Sequence, residues 1–283
     1  MSREPPSFDL VVATVGRTAE LARLLDSLEA QHYPRLRTIV VDQNDDQRVV
    51  GILAERDLEL VHLRSPKGLS RARNVGLRDV SADLVAFPDD DCTYPPGLLD
   101  TLAERFAADP RLDGVTGRAE DERGRSSASW ETEPAVLSYD NLWNRANAAT
   151  MFLRSDLAVR LGDFDERLGL GSGEPWSSGE ETDYLIRAIA AGARIAYDPT
   201  IVVLHDVRPD DAAVGLRDGA SVGYLLRKHR YPSRAVARML VRPVGGTLLA
   251  LARLDVPRAR YYAASLRGRI RGYRGASRSN SSA

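Results

Sequence analysis

The chain has 283 residues, enough for one large α/β domain or for a domain with an appendage. Its 43% hydrophobic and 28% charged content is ordinary for a soluble globular protein. The single cysteine, Cys92, excludes an internal disulfide framework and suits a reducing cytoplasm, and the N-terminus lacks the basic flank and apolar run of a signal peptide.

The net charge of −1 conceals an uneven distribution. Residues 227–283 contain 13 Arg and one Lys against one acid, Asp255, so this segment carries +13 and the rest of the chain −14. Such asymmetry suggests two parts with different partners. The acidic part can hold a cation, and the basic part can meet a membrane, a nucleic acid or a partner protein. The alternatives are two solvated helical faces, or arginines that pair with acids of the other part.

Strands and helices alternate through the first hundred residues. Short apolar runs predict buried strands at 8–14, 36–41, 58–63 and 83–87, and helical spacing of leucines predicts a helix after Thr18, with further helices at 46–56, 70–80 and 95–107. This alternation implies βαβ units and a mostly parallel sheet. Ligands bind such sheets at the carboxyl ends of the strands. The unusual polar residues fall there: Thr14 and Arg17, Asp42–Asp46 and Asp89–Asp91.

The second half is less regular. Residues 118–143 are polar and predict a long loop, and residues 164–178 form a glycine-rich segment that carries Trp176. Between and after these loops we expect strands at 148–153, 194–197 and 201–204 and helices at 154–161 and 179–191. Residues 210–276 predict two or three helices rich in Arg, Leu and Ala, broken at Pro232 and Pro257, and the end of the chain predicts a disordered tail.

One stretch of the basic part, Met239–Leu254, is apolar but holds Arg242, Pro243 and Arg253. It is too short and too charged to span a bilayer, although it can lie on one. The competing interpretation is a helix packed on the domain.

Three adjacent carboxylates, Asp89–Asp91, directly follow an apolar strand. They repel one another unless something positive lies between them, and oxygen-rich sites suit Mg²⁺ or Mn²⁺ bound together with substrate phosphates. The alternative is an exposed acidic turn. His205, at the end of a predicted later strand, is either a structural histidine or a further ligand of an acidic metal site.

Two helix starts also carry charged residues. Glu180, Glu181 and Asp183 open the helix predicted at 179–191, where acids favour the helix dipole and where a carboxylate can also act as a general base. Arg71 and Arg73 lie at the start of the helix predicted at 70–80, which is a ready anion site or a solvated surface.

Together and in this order, these motifs resemble those of glycosyltransferase family 2, whose members have the GT-A fold, an α/β fold with a Rossmann-like, mostly parallel central sheet flanked by helices. The resemblance covers roughly residues 8–207. It rests on Val11-Val12-Ala13-Thr14, Val40-Val41-Asp42, Gly68-Leu69-Ser70-Arg71-Ala72-Arg73-Asn74, Asp89-Asp90-Asp91, Gly179-Glu180-Glu181-Thr182-Asp183 and His205-Asp206.

The resemblance implies a role for each matching position. Nucleotide contacts are implied for Thr14, Arg17, Asp42, Arg71 or Arg73, Asp89 and Asp90. Metal ligands are implied at Asp91, Asp89 and His205, in the pattern of a DxD motif. Glu181 falls at the position of the catalytic base, with Glu180 and Asp183 as acidic alternatives, and Trp176 lies in the loop that usually faces the acceptor.

Two positions depart from the family pattern. Gln43 follows Asp42 where a second acid is common, which leaves the nucleotide base undetermined. Glu181 stands where Asp is usual, and its side chain is one methylene longer.

The resemblance implies an inverting glycosyltransferase that uses Mn²⁺ or Mg²⁺ and moves a sugar from a nucleotide diphosphate sugar to a hydroxyl of a glycan, lipid-linked or small-molecule acceptor. We expect a catalytic domain at 1–210, a basic helical extension at 211–275 and a tail at 276–283. A cytoplasmic location, with peripheral contact to the inner membrane face through the basic helices and no nucleic acid partner, completes this expectation. The alternatives are a sugar-nucleotide nucleotidyltransferase and a catalytically degenerate nucleotide-sugar-binding protein.

Overall fold

The computed structural model describes residues 4–126, 128–207 and 211–279, which form two compact units. The first unit comprises the chain up to Phe164 together with Tyr184–Val207, and the second comprises Asp165–Asp183 together with the C-terminal helices. The predicted boundary at residue 210 assigned Asp165–Asp183 to the catalytic domain, whereas in the structure this segment groups with the helices that follow.

The first unit is built on one nine-stranded sheet, with the order β3-β2-β1-β4-β8-β6-β9-β5 and β7 paired with β9. Its N-terminal half repeats strand and helix as predicted from the sequence, with two exceptions. The elements are β1 (Phe8–Thr14), α1 (Ala19–Glu29), β2 (Leu36–Asp42), α2 (Val50–Ala54), β3 (Glu59–Arg64), α3 (Leu69–Leu77), β4 (Leu84–Ala86), β5 (Cys92–Thr93) and α4 (Leu98–Ala108). Helix α2 is shorter than the predicted helix at 46–56, and the two-residue strand β5 was not predicted.

Strand β1 lies at the centre of this half. All seven of its residues are buried, and it pairs in parallel with β2 on one side and β4 on the other. The apolar face of α1, formed by Leu21, Leu24, Leu25 and Leu28, belongs to the same core as Phe8, Leu10 and Val12. Helix α3 approaches β1 so closely that a Cβ at Gly76 would come within 2.4 Å of Val11. These contacts fix the ends of β1, β2 and β4 at one edge of the sheet.

The second half makes the sheet mixed, since β8 pairs antiparallel with both β4 and β6. The parallel arrangement predicted from the strand–helix alternation therefore describes β3, β2, β1 and β4 and the β6–β9 pair. The remaining elements are β6 (Gly114–Glu120), β7 (Ala135–Val136), β8 (Met151–Arg154), α5 (Ser155–Leu161), α6 (Glu180–Ala190) and β9 (Ile195–His205).

Two predictions in this half are wrong in detail. The segment 118–143, predicted as a long loop, begins inside strand β6. No strand was predicted there because the sequence of β6 contains Gly114 and Gly117 and lacks an apolar run. The two strands predicted at 194–197 and 201–204 are one strand, β9. The β6–β9 register shifts between Thr116 and Arg118, and Pro199, which has no amide hydrogen to donate, lies in the resulting irregularity of β9.

The residues described after position 210 form three helices of the second unit: α7 (Ala212–Lys228), α8 (Ser233–Ala252) and α9 (Val256–Ser279). Helices α7 and α9 pack with their backbones close together, since a Cβ at Gly219 would lie 2.2 Å from the Ser265 carbonyl oxygen, and one at Gly268 would lie 2.1 Å from the Leu216 oxygen. Helix α9 extends four residues into the segment predicted as a tail, and residues 280–283 lie outside the described ranges.

Helix α8 stands out in this unit because much of its surface is apolar and exposed. The stretch 239–254 is expected from the sequence to be too short and too charged to span a bilayer, but α8 begins at Ser233. Among the described helices it is therefore the one long and apolar enough to cross a membrane by length and composition, and 28% of its apolar window is buried inside the protein. One face packs on α9, where a Cβ at Gly246 would lie 2.8 Å from the Tyr262 ring. The other face exposes Val241, Val244, Leu248, Leu249 and Leu251.

Candidate active site

The three aspartates Asp89–Asp91 lie where the chain leaves β4. Asp89 forms an isolated parallel bridge with Ala13, so this segment continues beside the end of β1. Cys92 then begins β5, in which it pairs directly with His205 at the end of β9. The antiparallel pairing brings the His205 imidazole to the aspartates, with Nε2 3.2 Å from Asp91 Oδ1.

Positive groups surround the aspartates on several sides. Arg17 lies 2.6 Å from Asp90 and 2.7 Å from Asp91, and Arg73 lies 3.0 Å from Asp89. Thr14 Oγ1 donates a 2.7 Å hydrogen bond to Asp90. The Asp90 side chain is only 8% exposed, which argues against the alternative of an exposed acidic turn. Burial raises the pKa of Asp90, and the hydrogen bonds from Thr14 and Arg17 offset only part of that increase.

Within the described ranges, Asp89, Asp91 and His205 form a group whose ligand atoms all lie within 4.8 Å of one another. His205 Nδ1 faces the Asp206 carbonyl oxygen at 2.9 Å, which orients Nε2 towards Asp91. Burial by itself would lower the pKa of His205, but the hydrogen bond and charge of Asp91 raise it above its usual value. Two carboxylates and an imidazole are a donor set that fits a divalent ion such as Mn²⁺.

Asp42, a predicted nucleotide contact, is fully buried at the end of β2. Its Oδ2 lies 3.2 Å from His62 Nε2 and 3.0 Å from Arg64, and its Oδ1 accepts a 2.8 Å hydrogen bond from the Asn44 amide. Sequence reasoning missed His62 and Arg64. They are two residues apart in β3, so the strand period places them on the same face of the sheet. Their pairing with Asp42, however, depends on the β2–β3 register.

Gln43, which stands where a second acid is common in the family, braces the turn before α3. Its Oε1 accepts a 2.7 Å hydrogen bond from the Gly68 amide, and its side-chain amide lies 3.4 Å from the Thr14 carbonyl oxygen. The side chain therefore connects the ends of β1 and β2 to the start of α3.

The two arginines of α3 have different surroundings. Arg73 is only 1% exposed, pairs with Asp89 and lies over the Phe164 ring at 5.8 Å, whereas Arg71 is exposed. Arg73 thus holds the Asp89 carboxylate from inside the unit. Of the two, Arg71 is the one whose side chain is on the surface.

The acidic start of α6, up to Asp183, belongs to the second unit. Asp183 is fully buried, with Lys228 Nζ at 2.6 Å and His229 Nε2 at 2.7 Å from its Oδ1. Glu180 is buried, and Glu181 is partly exposed and accepts a 3.0 Å hydrogen bond from Thr182. The ion pairs of Asp183 give it a structural role, and Glu181 has the best access to solvent of the three predicted catalytic acids. Trp176 is buried and stacks on Tyr224, with ring centroids 4.6 Å apart.

Known proteins with similar sequences are glycosyltransferases or polysaccharide biosynthesis proteins. The pre-mycofactocin glycosyltransferase of Mycobacterium tuberculosis is 33% identical over 217 residues, which are 70% of this chain and 42% of that protein. The chain therefore spans about two fifths of that relative's length. The succinoglycan biosynthesis protein ExoM of Rhizobium meliloti is 29% identical over 259 residues, 87% of this chain and 79% of ExoM.

Solved structures share the fold at low sequence identity. The mannosyltransferase PcManGT from Pyrobaculum calidifontis, in complex with GDP-Man and Mn²⁺, has a TM-score of 0.65 at 17% identity over 94% of this chain and 87% of its own. S. aureus TarS 1-349, in complex with UDP-GlcNAc, has a TM-score of 0.60 at 16% identity over 92% of this chain and 91% of its own. The predicted GT-A fold is confirmed. Since the model of glycosyl transferase family 2 matches residues 9–165, more than half of the chain, the protein belongs to that family.

Proposed function

We propose that the protein is an inverting, metal-dependent glycosyltransferase that uses a nucleotide diphosphate sugar. The observation that carries the proposal is the convergence of Asp89, Asp91 and His205 at the carboxyl end of the sheet. These three residues would hold Mn²⁺ or Mg²⁺, which would offset the negative charge of the diphosphate leaving group. Arg17 pairs with Asp90 and Asp91 and so offsets part of the repulsion between the neighbouring carboxylates.

In the proposed reaction the acceptor oxygen bonds to the anomeric carbon while the bond from that carbon to the diphosphate oxygen breaks. Glu181 takes the proton of the acceptor hydroxyl, and the nucleoside diphosphate leaves with the bonding electron pair. Glu181 is chosen over Asp183 because the latter is buried between Lys228 and His229. A positioned general base typically contributes about 10²–10⁴-fold in rate.

Two similar structures hold nucleotide sugars, GDP-Man with Mn²⁺ in one and UDP-GlcNAc in the other. They support the class of donor and differ in base and sugar. The similarity to ExoM and to the mycobacterial enzyme supports a role in bacterial glycan or glycoconjugate synthesis. The acceptor would then be a hydroxyl on a glycan, a lipid-linked sugar or a small molecule.

A thermal-shift panel of nucleotide diphosphates and nucleotide sugars, with and without Mn²⁺, tests the donor class. A ligand that binds the native state alone stabilises it by about 2.7 kcal/mol at 100 times its Kd. We expect stabilisation by one nucleotide diphosphate and its sugar that depends on Mn²⁺. Stabilisation by a nucleoside triphosphate with a sugar phosphate would favour a nucleotidyltransferase, and donor binding without any transfer or hydrolysis would favour a degenerate enzyme.

We also propose that the enzyme contacts the anionic inner face of the cytoplasmic membrane through α8. The exposed apolar side chains of this helix lie near exposed arginines at 238, 242 and 253. Anionic lipid attracts such segments by about 1 kcal/mol for each Lys or Arg near the surface, and apolar insertion adds to this. A helix lying in the interface keeps its packing on α9, whereas a spanning helix would place Arg242 near the bilayer centre.

Vesicle co-sedimentation tests this contact. We expect binding to vesicles that contain an anionic lipid, weaker binding at high salt, and a loss of binding when Leu248 and Leu251 are both replaced by Gln. Val159, which is 67% exposed on α5, supplies the matched control, and Val159→Gln should bind like the parent. A parent protein that ignores anionic vesicles at low salt would end the proposal and leave the exposed face to another partner.

A further inference from the structure

Lys228, the last residue of α7, joins the two ends of the segment Asp165–Asp183. Its Nζ lies 2.8 Å from Asp165 Oδ2 and 2.6 Å from Asp183 Oδ1. These aspartates are the first and last residues of the stretch that groups with the C-terminal helices. A single ammonium has three donors, so the Lys228 side chain can bind both aspartates at once. We call Lys228, Asp165 and Asp183 together the clasp.

The clasp is charged and largely buried. Burial alone would raise the pKa of Asp183, but the hydrogen bond to His229 and the charge of Lys228 lower it below its usual value. The pKa of Asp165 is also lowered, because hydrogen bonds from Arg167 and Lys228 outweigh the effect of burial. Both aspartates therefore remain ionised at neutral pH, and both ion pairs persist there.

The rest of the segment rests on the same helix. The Ser178 amide donates a 3.1 Å hydrogen bond to Ser221 Oγ, and the Ser178 hydroxyl donates a 3.0 Å bond to Asp218. Trp176 stacks on Tyr224 with an interplanar angle of 11°. Residues 218, 221, 224 and 228 repeat at helical spacing, so α7 presents one continuous face to the segment.

We propose that α7 is the platform that positions the catalytic base, and that Lys228 and His229 are positioning residues that act through Asp183. This inference rests on the proposed role of Glu181, which precedes Asp183 by two residues in the first turn of α6. Holding Asp183 fixes the start of the helix and thereby the direction of the Glu181 carboxylate. A misplacement of about 1 Å can cost about 10²-fold in rate, so the clasp affects turnover even though it does not touch substrate.

Ion pairs suit this task better than an apolar contact. Replacing a buried ion pair with apolar side chains is often neutral or stabilising, so stability by itself does not explain the clasp. Hydrogen-bonded charges fix direction as well as distance. The basic C-terminal region would then have two functions, with exposed arginines of α8 for the membrane and Lys228 for the chemistry.

The test compares Lys228→Met with Lys228→Arg in the full-length protein. We expect Lys228→Met to lower kcat by about ten- to a hundredfold with an unchanged KM for the nucleotide sugar and an unchanged Mn²⁺ dependence, and Lys228→Arg to recover most of the loss. Arg230→Gln, at an exposed arginine two residues away, should keep the parental rate. A parental kcat for Lys228→Met, or equal losses in kcat and donor affinity, would overturn the proposal.

Hydrogen exchange gives a measurement that does not depend on turnover. Amides of residues 166–182 should exchange faster in Lys228→Met, while those of β1 and β2 keep their protection. If Lys228→Met does not fold, Lys228→Met with Asp183→Asn removes the unpaired buried charge, and this double variant should fold and still turn over slowly. Unchanged exchange in the segment would also overturn the proposal.

Glu181→Gln, assayed in parallel, separates the two proposals. An inactive Glu181→Gln beside a fully active Lys228→Met would remove the positioning role and leave the proposed function intact. A fully active Glu181→Gln would show that Glu181 is not the catalytic base. The proposed positioning role of Lys228 and His229 would then fail as well.

Discussion

Each unit of the molecule contains a cluster of three acids, and the two clusters are neutralised differently. Around Asp89–Asp91, Arg17 and Arg73 approach from outside the triplet, and two carboxylates and His205 remain directed towards a common point. At the start of α6, Lys228 and His229 converge on one acid, Asp183. The first arrangement brings together groups of a kind that suits a cation, and the second immobilises one carboxylate beside another that stays partly exposed. The placement of the counter-charges therefore decides what a cluster of acids can do.

The first cluster is tested by removing one of the carboxylates that are proposed to hold the metal. Asp91→Asn should weaken Mn²⁺-dependent binding of nucleotide sugar by more than about a hundredfold, since even outer-shell partners of metal ligands are typically worth 10–100-fold in affinity. The fold should persist, because the change removes one of three like charges. Calorimetric titration with the nucleotide diphosphate in Mn²⁺ measures the effect. Asp57→Asn, at an exposed aspartate, is the control, and parental affinity in Asp91→Asn would show that the metal site is assigned wrongly.

The second cluster should respond in turnover and not in donor affinity. Glu181→Gln should lower kcat by about a hundredfold or more, because a general base acts in the transition state. Steady-state kinetics with a separate measurement of donor binding checks the prediction. Glu104→Gln, at an exposed glutamate of α4, should behave like the parent. Near-parental turnover in Glu181→Gln would move the role to Glu180 or Asp183.

The two arginines of α3 should differ in how much they contribute to the stability of the protein. Arg73→Met leaves Asp89 without its buried counter-charge, so the free energy of unfolding should fall by about 3 kcal/mol. Arg71→Met, at an exposed position, should change it by about 0.5 kcal/mol or less. Urea denaturation of both variants gives the difference. Equal losses would mean that the buried ion pair is not what distinguishes the two positions.

The smallest expected effect is on the pH dependence of stability. The pKa of Asp183 lies below its ordinary value of 3.8 in the folded protein, so its contribution is complete above about pH 5 and is lost as the pH falls through the folded-state pKa. Each unit by which the pKa is lowered contributes about 1.4 kcal/mol. Asp183→Asn should therefore be less stable at pH 7 and lose less stability on acidification than the parent, whereas Asp57→Asn should follow the parental curve.

The sequence was sufficient for features that depend on local pattern. The strands and helices up to α4, apart from the two-residue strand β5, follow from apolar periodicity. The resemblance groups Asp89, Asp91 and His205 as metal ligands, and the structure brings these three side chains together. Features that depend on long-range pairing could not be predicted. The contact of His62 and Arg64 with Asp42 requires the β2–β3 register, and the continuity of β9 past Pro199 requires its pairing with β6.

The second unit shows the same limit. Nothing local in the glycine-rich segment 165–178 indicates that it packs on α7, since this depends on Lys228 reaching two aspartates that are distant in sequence. The charge split suggested two parts with different partners. It did not show that Lys228 of the basic segment would bind two aspartates of the segment 165–183.

Cys92 offers a chemical probe of local opening at the candidate metal site of this protein. Cys92 is the single cysteine of the chain and its side chain is buried. It pairs with His205 in the antiparallel β5–β9 ladder. Burial and the neighbouring aspartates raise the pKa of this thiol well above its usual value, so an alkylating reagent finds little thiolate to attack in the closed state. Labelling of the buried thiol then requires a local opening of the structure, such as separation of β5 from β9. A ligand that ties His205 to Asp91 would slow that labelling, which allows occupancy of the centre to be followed by mass spectrometry without any sugar transfer.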